Sequence, residues 1–359
     1  MSSTVLYEKS VQPVTTDGRD IDKQLAQLTG EAASQQASGK PSKHLKQEAQ
    51  TWTELPQPDE SDPTYYDRPL LNKSVWSWAI PAYYYVGGLS GGALALGAAV
   101  QLKRTDGFQR LIKRCHWIGF IGCCVSGALL TYDLGKPQRF LNMLRVFRPT
   151  SPMNVGAWIL TGTGGASFGA LLFQGKTGLL GTLGEIAGYK AGVLGLGLAT
   201  YTGVLVSNTA VPLWNASRRV LPILFAASAM TSVGSAFELL GQSEEETRIT
   251  KAFGTAGEIA ELTAAMLTEQ QASEVRRVGR PFKRGFSGVL WRTATILTAA
   301  SLITSLTPGK TRSKQVTAGV LGTLGSLLLR FAVDHAGNQS AKDPRASFHS
   351  QREKPYSGK

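Results

Sequence analysis

From Val75 onward, apolar stretches of about twenty residues, the length a helix needs to cross a hydrocarbon core, alternate with short polar or basic connections. Eight can be counted: Trp78 to Gln101, Ile112 to Leu134, Met153 to Gln174, Tyr189 to Val211, Val220 to Gly241, Ile249 to Leu267, Phe286 to Leu306 and Gln315 to Val333. The sixth is the weakest, because "KAFGTAGEIAELTAAML" carries Lys251, Glu258 and Glu261. Residues 1 to 74 contrast with all of this. They are polar, rich in Gln, Ser, Thr, Lys, Asp and Glu, and contain "LPQPDESDP" without any sustained apolar period, the signature of a disordered arm. The pattern predicts an all-α, polytopic transmembrane bundle of about eight helices over residues 75 to 335. The polar arm precedes it, and a polar tail covers residues 336 to 359.

Composition sharpens this picture. The chain holds forty glycines, and small residues let helices approach closely in lipid, where packing rather than exclusion of water drives association. Gly88 and Gly92, Gly165 and Gly169, and Gly188 and Gly192 each stand four apart on one helical face, as packing seams do. The opening "MSSTVLYEKSVQPVTT" lacks the basic-then-apolar order of a signal peptide, so the first spanning helix is expected to direct insertion. The net charge of +13 resides in short loops such as "KRTDGFQRLIKR" and "RRVGRPFKRG", within reach of membrane-lipid headgroups. That explains the basicity without nucleic acid. These two loops fall on opposite faces, so the charge bias does not orient the bundle.

The ligand inventory excludes resident metal centres. Cys115, Cys123 and Cys124 lack the spacing that holds an iron–sulfur cluster. Of His44, His116, His335 and His349, only His116 lies near the start of a span, with His335 just past the last one. A membrane haem would want two imidazoles on facing helices, so neither haem nor cluster is expected in this chain. Any electrons would be carried by a diffusible cofactor or a partner.

Counting crossings brings the start of the first span, the end of the second, the start of the third and the end of the fourth to one membrane face. There the chain offers "WSWAIPAYYYVGG", "YDLGKPQRF", "SPMNVGAW" and "YTGVLVSNTAVPLW". Aromatic residues anchor helices at membrane interfaces in any case. An acid and an arginine among them call for a further explanation, because ionisable groups at an embedded rim mark function. Asp133 closes the second span, and Gly135 and Pro137 must end the helix just beyond it. Arg139 can turn back toward the exposed carbonyls. Aromatic walls, hydrogen-bond donors and a carboxyl able to exchange protons suit an amphiphilic ring with two carbonyl oxygens. The candidate quinone-site residues are Asp133, Gly135, Arg139, Tyr83, Tyr132, Asn154 and Trp158. The following "NMLRVFRPTSP" forms a basic, Pro-stiffened ledge on which Arg145 and Arg148 are candidate partner-docking residues.

The stretches "YDLGKPQRFLNMLRVFRPTSPMNVGAWIL", "YYDRPLLNKSVWSWAIPAYYYVGGLSGG" and "ATYTGVLVSNTAVPLWNASRRVLPILFAASA" resemble the NrfD/PsrC family of membrane anchor subunits, of polysulfide reductase type. The resemblance runs from residue 62 to about 343. It implies a multi-pass subunit of the cell inner membrane that passes electrons between quinone (menaquinone or ubiquinone) and a ferredoxin-like iron–sulfur subunit. A molybdopterin catalytic subunit would complete the complex and handle its substrate. The family's quinone-side motif falls on Asp133, Gly135, Pro137 and Arg139.

A second polar set lies deeper, at Glu238 and at Glu258 and Glu261, the latter two on one helical turn. Buried carboxylates in a bundle can relay protons. They can also pair with Lys251 or Arg292, so proton translocation is the weaker expectation. A solute transporter is the alternative function. Transporters often reveal inverted repeats with broken helices at midplane; here no repeat is evident and the polar cluster sits at one face.

Overall fold

The computed structural model describes residues 71, 74, 76–103, 107–135, 138–309 and 311–347, except for the side chains of Gln138 and Arg139. They belong to one compact unit, Tyr65–Lys359. The expected disordered arm, apart from Leu71 and Ser74, lies outside the described residues, as do Lys136, Pro137 and the end of the tail.

Among the described residues eleven helices follow in order: α1 Ala79–Leu102, α2 Gln109–Asp133, α3 Gln138–Arg145, α4 Pro152–Phe173, α5 Gly178–Ser207, α6 Pro212–Ala216, α7 Leu221–Leu240, α8 Glu244–Ser273, α9 Arg276–Lys283, α10 Gly285–Leu306 and α11 Arg312–Ala341. Three are short connectors and eight form the bundle. Pro sits in the first turn of α4, α6 and α7, where its missing N–H is no loss.

Seven of the long helices are long and apolar enough to cross a membrane. The other is α8, over the weakest of the eight apolar stretches. Its contacts nevertheless carry it along the whole height of the bundle. At one end Glu246 meets Arg114 near the start of α2 at 3.7 Å. At the other, the Ser217 hydroxyl, just past α6, donates to the Thr268 carbonyl at 3.3 Å. A capping box opens α8, with Ser243 and Glu246 exchanging side-chain-to-backbone bonds of 3.3 and 3.1 Å. Three glutamates in this first turn complement the positive end of the helix dipole, and they help to depress the mean hydropathy.

The long helices pack in consecutive pairs: α1 on α2, α4 on α5, α7 on α8 and α10 on α11. Contacts of α7 with α1 and α5, and of α11 with α1, join the first four to the last four. Gly234 of α7 and Gly254 of α8 lie backbone to backbone, so that a Cβ on either would strike the other's Cα. Of the three expected glycine seams, two are real. Gly88 and Gly92 face α7, and Gly188 and Gly192 face α1. Gly165 is exposed with nothing against it, so spacing alone does not make a seam.

Candidate functional site

Four helix ends converge as expected, and a narrow cleft of about 50 Å³ opens between α1, α2, α3, α4 and α5. Asp133, the last residue of α2, is one of its walls. Its Oδ1 accepts from the Ser77 backbone N–H at 2.9 Å and from the Ser77 hydroxyl at 2.6 Å. The acid therefore stands at the positive end of α1 and ties two helices together. Just beyond it α2 stops at Gly135, whose φ of 69° is left-handed and suits glycine.

The remaining walls are mostly aromatic. Tyr83 and Tyr84 are buried on α1. Trp76 stacks on Trp214 at 5.8 Å and meets Tyr84 edge-on at 6.4 Å. Tyr201 approaches from α5, and its ring occupies the space that a side chain at Gly156 would need. The Tyr84 hydroxyl is buried without a hydrogen-bond partner among the described residues. Phe140, Met143 and Met153 close the side toward α3 and α4.

Met143 and Met153 also line a wider groove of about 510 Å³ with Arg145, Arg148 and Asn154. Asn154 fixes the shape of this ledge. Its Oδ1 accepts from the Arg148 backbone N–H at 2.7 Å, and its Nδ2 donates to the Val146 carbonyl at 3.0 Å and to the Met143 carbonyl. Arg145 and Arg148 remain exposed on it.

Of the residues expected around a quinone, Asp133 and Tyr83 share the cleft. Asn154 is buried but serves the ledge. Tyr132 is 64% exposed and packs on Trp78 outside the cleft. Trp158 is 40% exposed and meets Phe147 edge-on at 6.0 Å. The Arg139 side chain lies outside the described residues. Sequence reasoning did not single out Trp76 over its neighbours, or Tyr84, Tyr201, Met143 and Met153. Tyr84 and Tyr201 were visible only as members of aromatic stretches.

The deeper carboxylates face inward. Glu258 and Glu261 on α8 are buried, and Glu238 on α7 lines a groove of about 580 Å³ at the opposite end of the bundle from the cleft. Among the described residues neither Lys251 nor Arg292 forms an ion pair with Glu258 or Glu261: Lys251 is exposed and within electrostatic reach of Glu238, and Arg292 donates to the Lys283 carbonyl at 2.9 Å. Hydroxyls of α10 serve the carboxylates instead. Thr298 donates to Glu261 at 3.1 Å, Ser301 to Glu258 at 2.5 Å and Ser305 to Glu238 at 3.2 Å. The spacing of three and four places these hydroxyls on one helical face. Two further ionisable residues of α11, Arg330 and Asp334, are buried beside them in the core. A signal existed: an arginine inside the apolar run "LGTLGSLLLRFAV" calls for a functional reading by default.

Among the described residues, no three of His, Cys, Asp and Glu gather so as to hold a metal ion. A multi-pass helical bundle with seven helices long and apolar enough to cross a membrane defines the class, an integral membrane protein. Residues 69–340 match the family described as polysulphide reductase, NrfD, and the protein belongs to that family. It is 30% identical over 195 residues to the C subunit of the polysulfide reductase of Wolinella succinogenes. That match covers 47% of this sequence and 59% of the relative's own length.

Proposed function

We propose that this protein is the quinone-reactive membrane subunit of a polysulfide-reductase-type complex, exchanging electrons with an iron–sulfur subunit that docks on the α3–α4 ledge. The observation that carries the reading is the shared wall. Met143 and Met153 line both the aromatic cleft that holds Asp133 and the open groove that presents Arg145 and Arg148, so a redox ring and a docked partner would be immediate neighbours.

The chemistry of the cleft fits a quinone headgroup, which when bound supplies reversible two-electron, two-proton redox at one ring. Trp76, Tyr83 and Tyr201 offer flat apolar surfaces. The unpartnered Tyr84 hydroxyl can donate to a carbonyl oxygen, and Asp133 can take or return a proton, keeping its Oδ1 on Ser77. The width is the obstacle, because about 50 Å³ is far less than a substituted ring requires. Entry therefore needs Phe140, Met143 and Met153 to swing aside, and flexible methionine suits such a wall.

On the ledge, Arg145 and Arg148 would meet an acidic face of the iron–sulfur subunit, with a molybdopterin catalytic subunit beyond it. Proton translocation by way of Glu261, Glu258 and Glu238 is the finer part of the proposal, supported by the burial of Glu261 and Glu258 and by the ladder of hydroxyls that serves all three. Purification in mild detergent tests the whole reading. Stoichiometric quinone in the organic extract and co-eluting iron–sulfur and molybdopterin subunits are expected. A preparation that carries neither, yet moves a solute across vesicles, would establish the transporter alternative instead.

A further inference from the structure

Between the cleft and the carboxylate ladder lies a set of polar atoms whose hydrogen bonds are missing. Tyr84, Arg330, Asp334 and Glu261 are 0, 0, 5 and 1% exposed. The Tyr84 hydroxyl, Nε and Nη1 of Arg330, Oδ1 of Asp334 and Oε2 of Glu261 have no hydrogen-bond partner among the described residues. The guanidinium is not loosely placed. Its Nη2 donates to the Phe225 carbonyl at 2.8 Å, and its carbon lies 3.9 Å above the Phe225 ring. Gly88 borders it on another side, where a Cβ would come within 3.2 Å of Nη2. Arg330 is thus held in position with two of its nitrogens unserved.

These groups form a sequence through the bundle. Asp334 stands one turn from Arg330 on the same face of α11, with its Oδ2 anchored by Asn338 at 3.1 Å. Asp334 lies within electrostatic reach of Tyr84 and of Asp133 at the rim. Arg330 lies within reach of Tyr84 and Glu261. Glu258, in turn, feels both Glu261 and Glu238. Ser228 and Thr231 stand beside Glu261, but no described hydroxyl meets its Oε2 in good geometry.

Buried polar atoms of native proteins find partners in protein or in ordered water, and a roomy polar interior is where such water is retained. With Glu261 within reach of Arg330 and Asp334 within reach of Tyr84, the cluster offers no site for a simple anion, whereas water can accept from the guanidinium and donate to a carboxylate. We propose that bound water fills the space among Tyr84, Asp334, Arg330 and Glu261 and completes a proton path from the cleft to Glu238 at the opposite face. Each proton accepted at the Asp334 end is matched by one released from the Glu238 end. Arg330 keeps its own proton and holds the water through its two unserved nitrogens. The transport role rests on the quinone reading of the cleft; the presence of water does not.

Two measurements separate these claims. Radiolytic hydroxyl-radical footprinting of the full-length protein in its complex labels side chains next to bound water. Tyr84 and Phe225, normalised for intrinsic reactivity, should be oxidised severalfold faster than Phe282, which is as deeply buried. Equal rates would mean a dry core and would overturn the inference whatever the cleft binds. In vesicles containing the assembled complex, Asp334→Asn and Glu261→Gln should retain quinol-linked electron transfer under uncoupled conditions and lose proton release at the far face. Undiminished release in both variants would also sink the path. Fast labelling of Tyr84 in a wild-type complex without any quinone turnover would refute the quinone reading while leaving the water in place.

Discussion

In the group formed by α1, α2, α4 and α5, none of the described Asp, Glu, Lys and Arg side chains is buried, whereas in the group formed by α7, α8, α10 and α11 the helices α8 and α11 bury Glu258, Glu261, Arg330 and Asp334 along their length. Asp133 closes α2, and Arg145 and Arg148 lie beyond the membrane-spanning helices. The buried hydroxyls of Ser90 and Thr163 bend back to carbonyls of their own helices, at 2.7 Å each. In the second group, Glu258 and Glu261 take their bonds from another helix, and Ser232 of α7 donates to Ser326 of α11 at 3.0 Å. A charge at the rim keeps access to water and needs little from its neighbours. A charge in the middle is tolerable only when several helices supply its partners together. The first group can therefore carry a site that works residue by residue, while the second works as a unit.

Substitutions can break this contrast, and the largest effect is expected at the rim. Asp133→Asn keeps an oxygen that accepts from Ser77 but loses the exchangeable proton. Quinone-linked turnover should fall by about 10²-fold or more, while reduction of the partner's cluster by an artificial donor persists. Unchanged quinone turnover in an intact complex would reduce Asp133 to a helix-capping residue. Next in size is the ledge. Arg145→Glu combined with Arg148→Glu should slow partner association by roughly tenfold at low ionic strength. The defect should shrink as salt rises, and a salt-independent loss would point to misfolding instead.

Smaller effects sharpen the comparison. Asn154→Ala removes the three bonds that hold the ledge and should cost about 1–3 kcal/mol, read as earlier thermal loss of partner binding with the bundle intact. Ser301→Ala, deep in the second group, removes one bond to Glu258 and should cost about 1 kcal/mol with no effect on docking. Tyr132→Phe should leave turnover, docking and stability unaltered, because that ring faces outward. A clear loss of quinone turnover in Tyr132→Phe would place the ring site on the wrong side of α2.

How much of this was legible in the sequence follows from the same physics. Seven of the eight long helices could be read from apolar run length, since lipid imposes that length directly, whereas α8 falls short of a candidate span. Boundaries were harder. α5 begins at Gly178 rather than Tyr189, because its first turns mix glycines and Glu185 with Leu179, Leu180 and Leu183, which are exposed. α11 continues to Ala341 rather than stopping at Val333, since Asp334 resembled the polar end of a span and is in fact inside it. At the candidate site, helix parity brought the correct ends together, and Asp133 was identifiable as an acid where chain-breaking residues follow. Tyr132 and Trp158 lie outside the cleft for a different reason. Their membership of the right stretch says nothing about which way a helix is rotated, which for α4 is set where Gly156 receives Tyr201. The hydroxyls that serve the buried glutamates were hidden in the same way, spread along α10 and given meaning only by α7 and α8.

The thioether wall shared by cleft and ledge has a consequence for durability. Reduced redox centres leak electrons to oxygen, and the peroxide formed would meet Met153, which is 48% exposed, and Met143 beside it. Conversion to the sulfoxide makes a supple apolar side chain stiffer and polar, so damage would jam the entrance without touching the acid or the aromatic walls. Sulfoxide reductases could then restore the subunit with no new synthesis. Mild peroxide should inactivate quinone turnover reversibly, and Met143→Leu with Met153→Leu should be resistant, at the expense of a slower exchange of ring in and out.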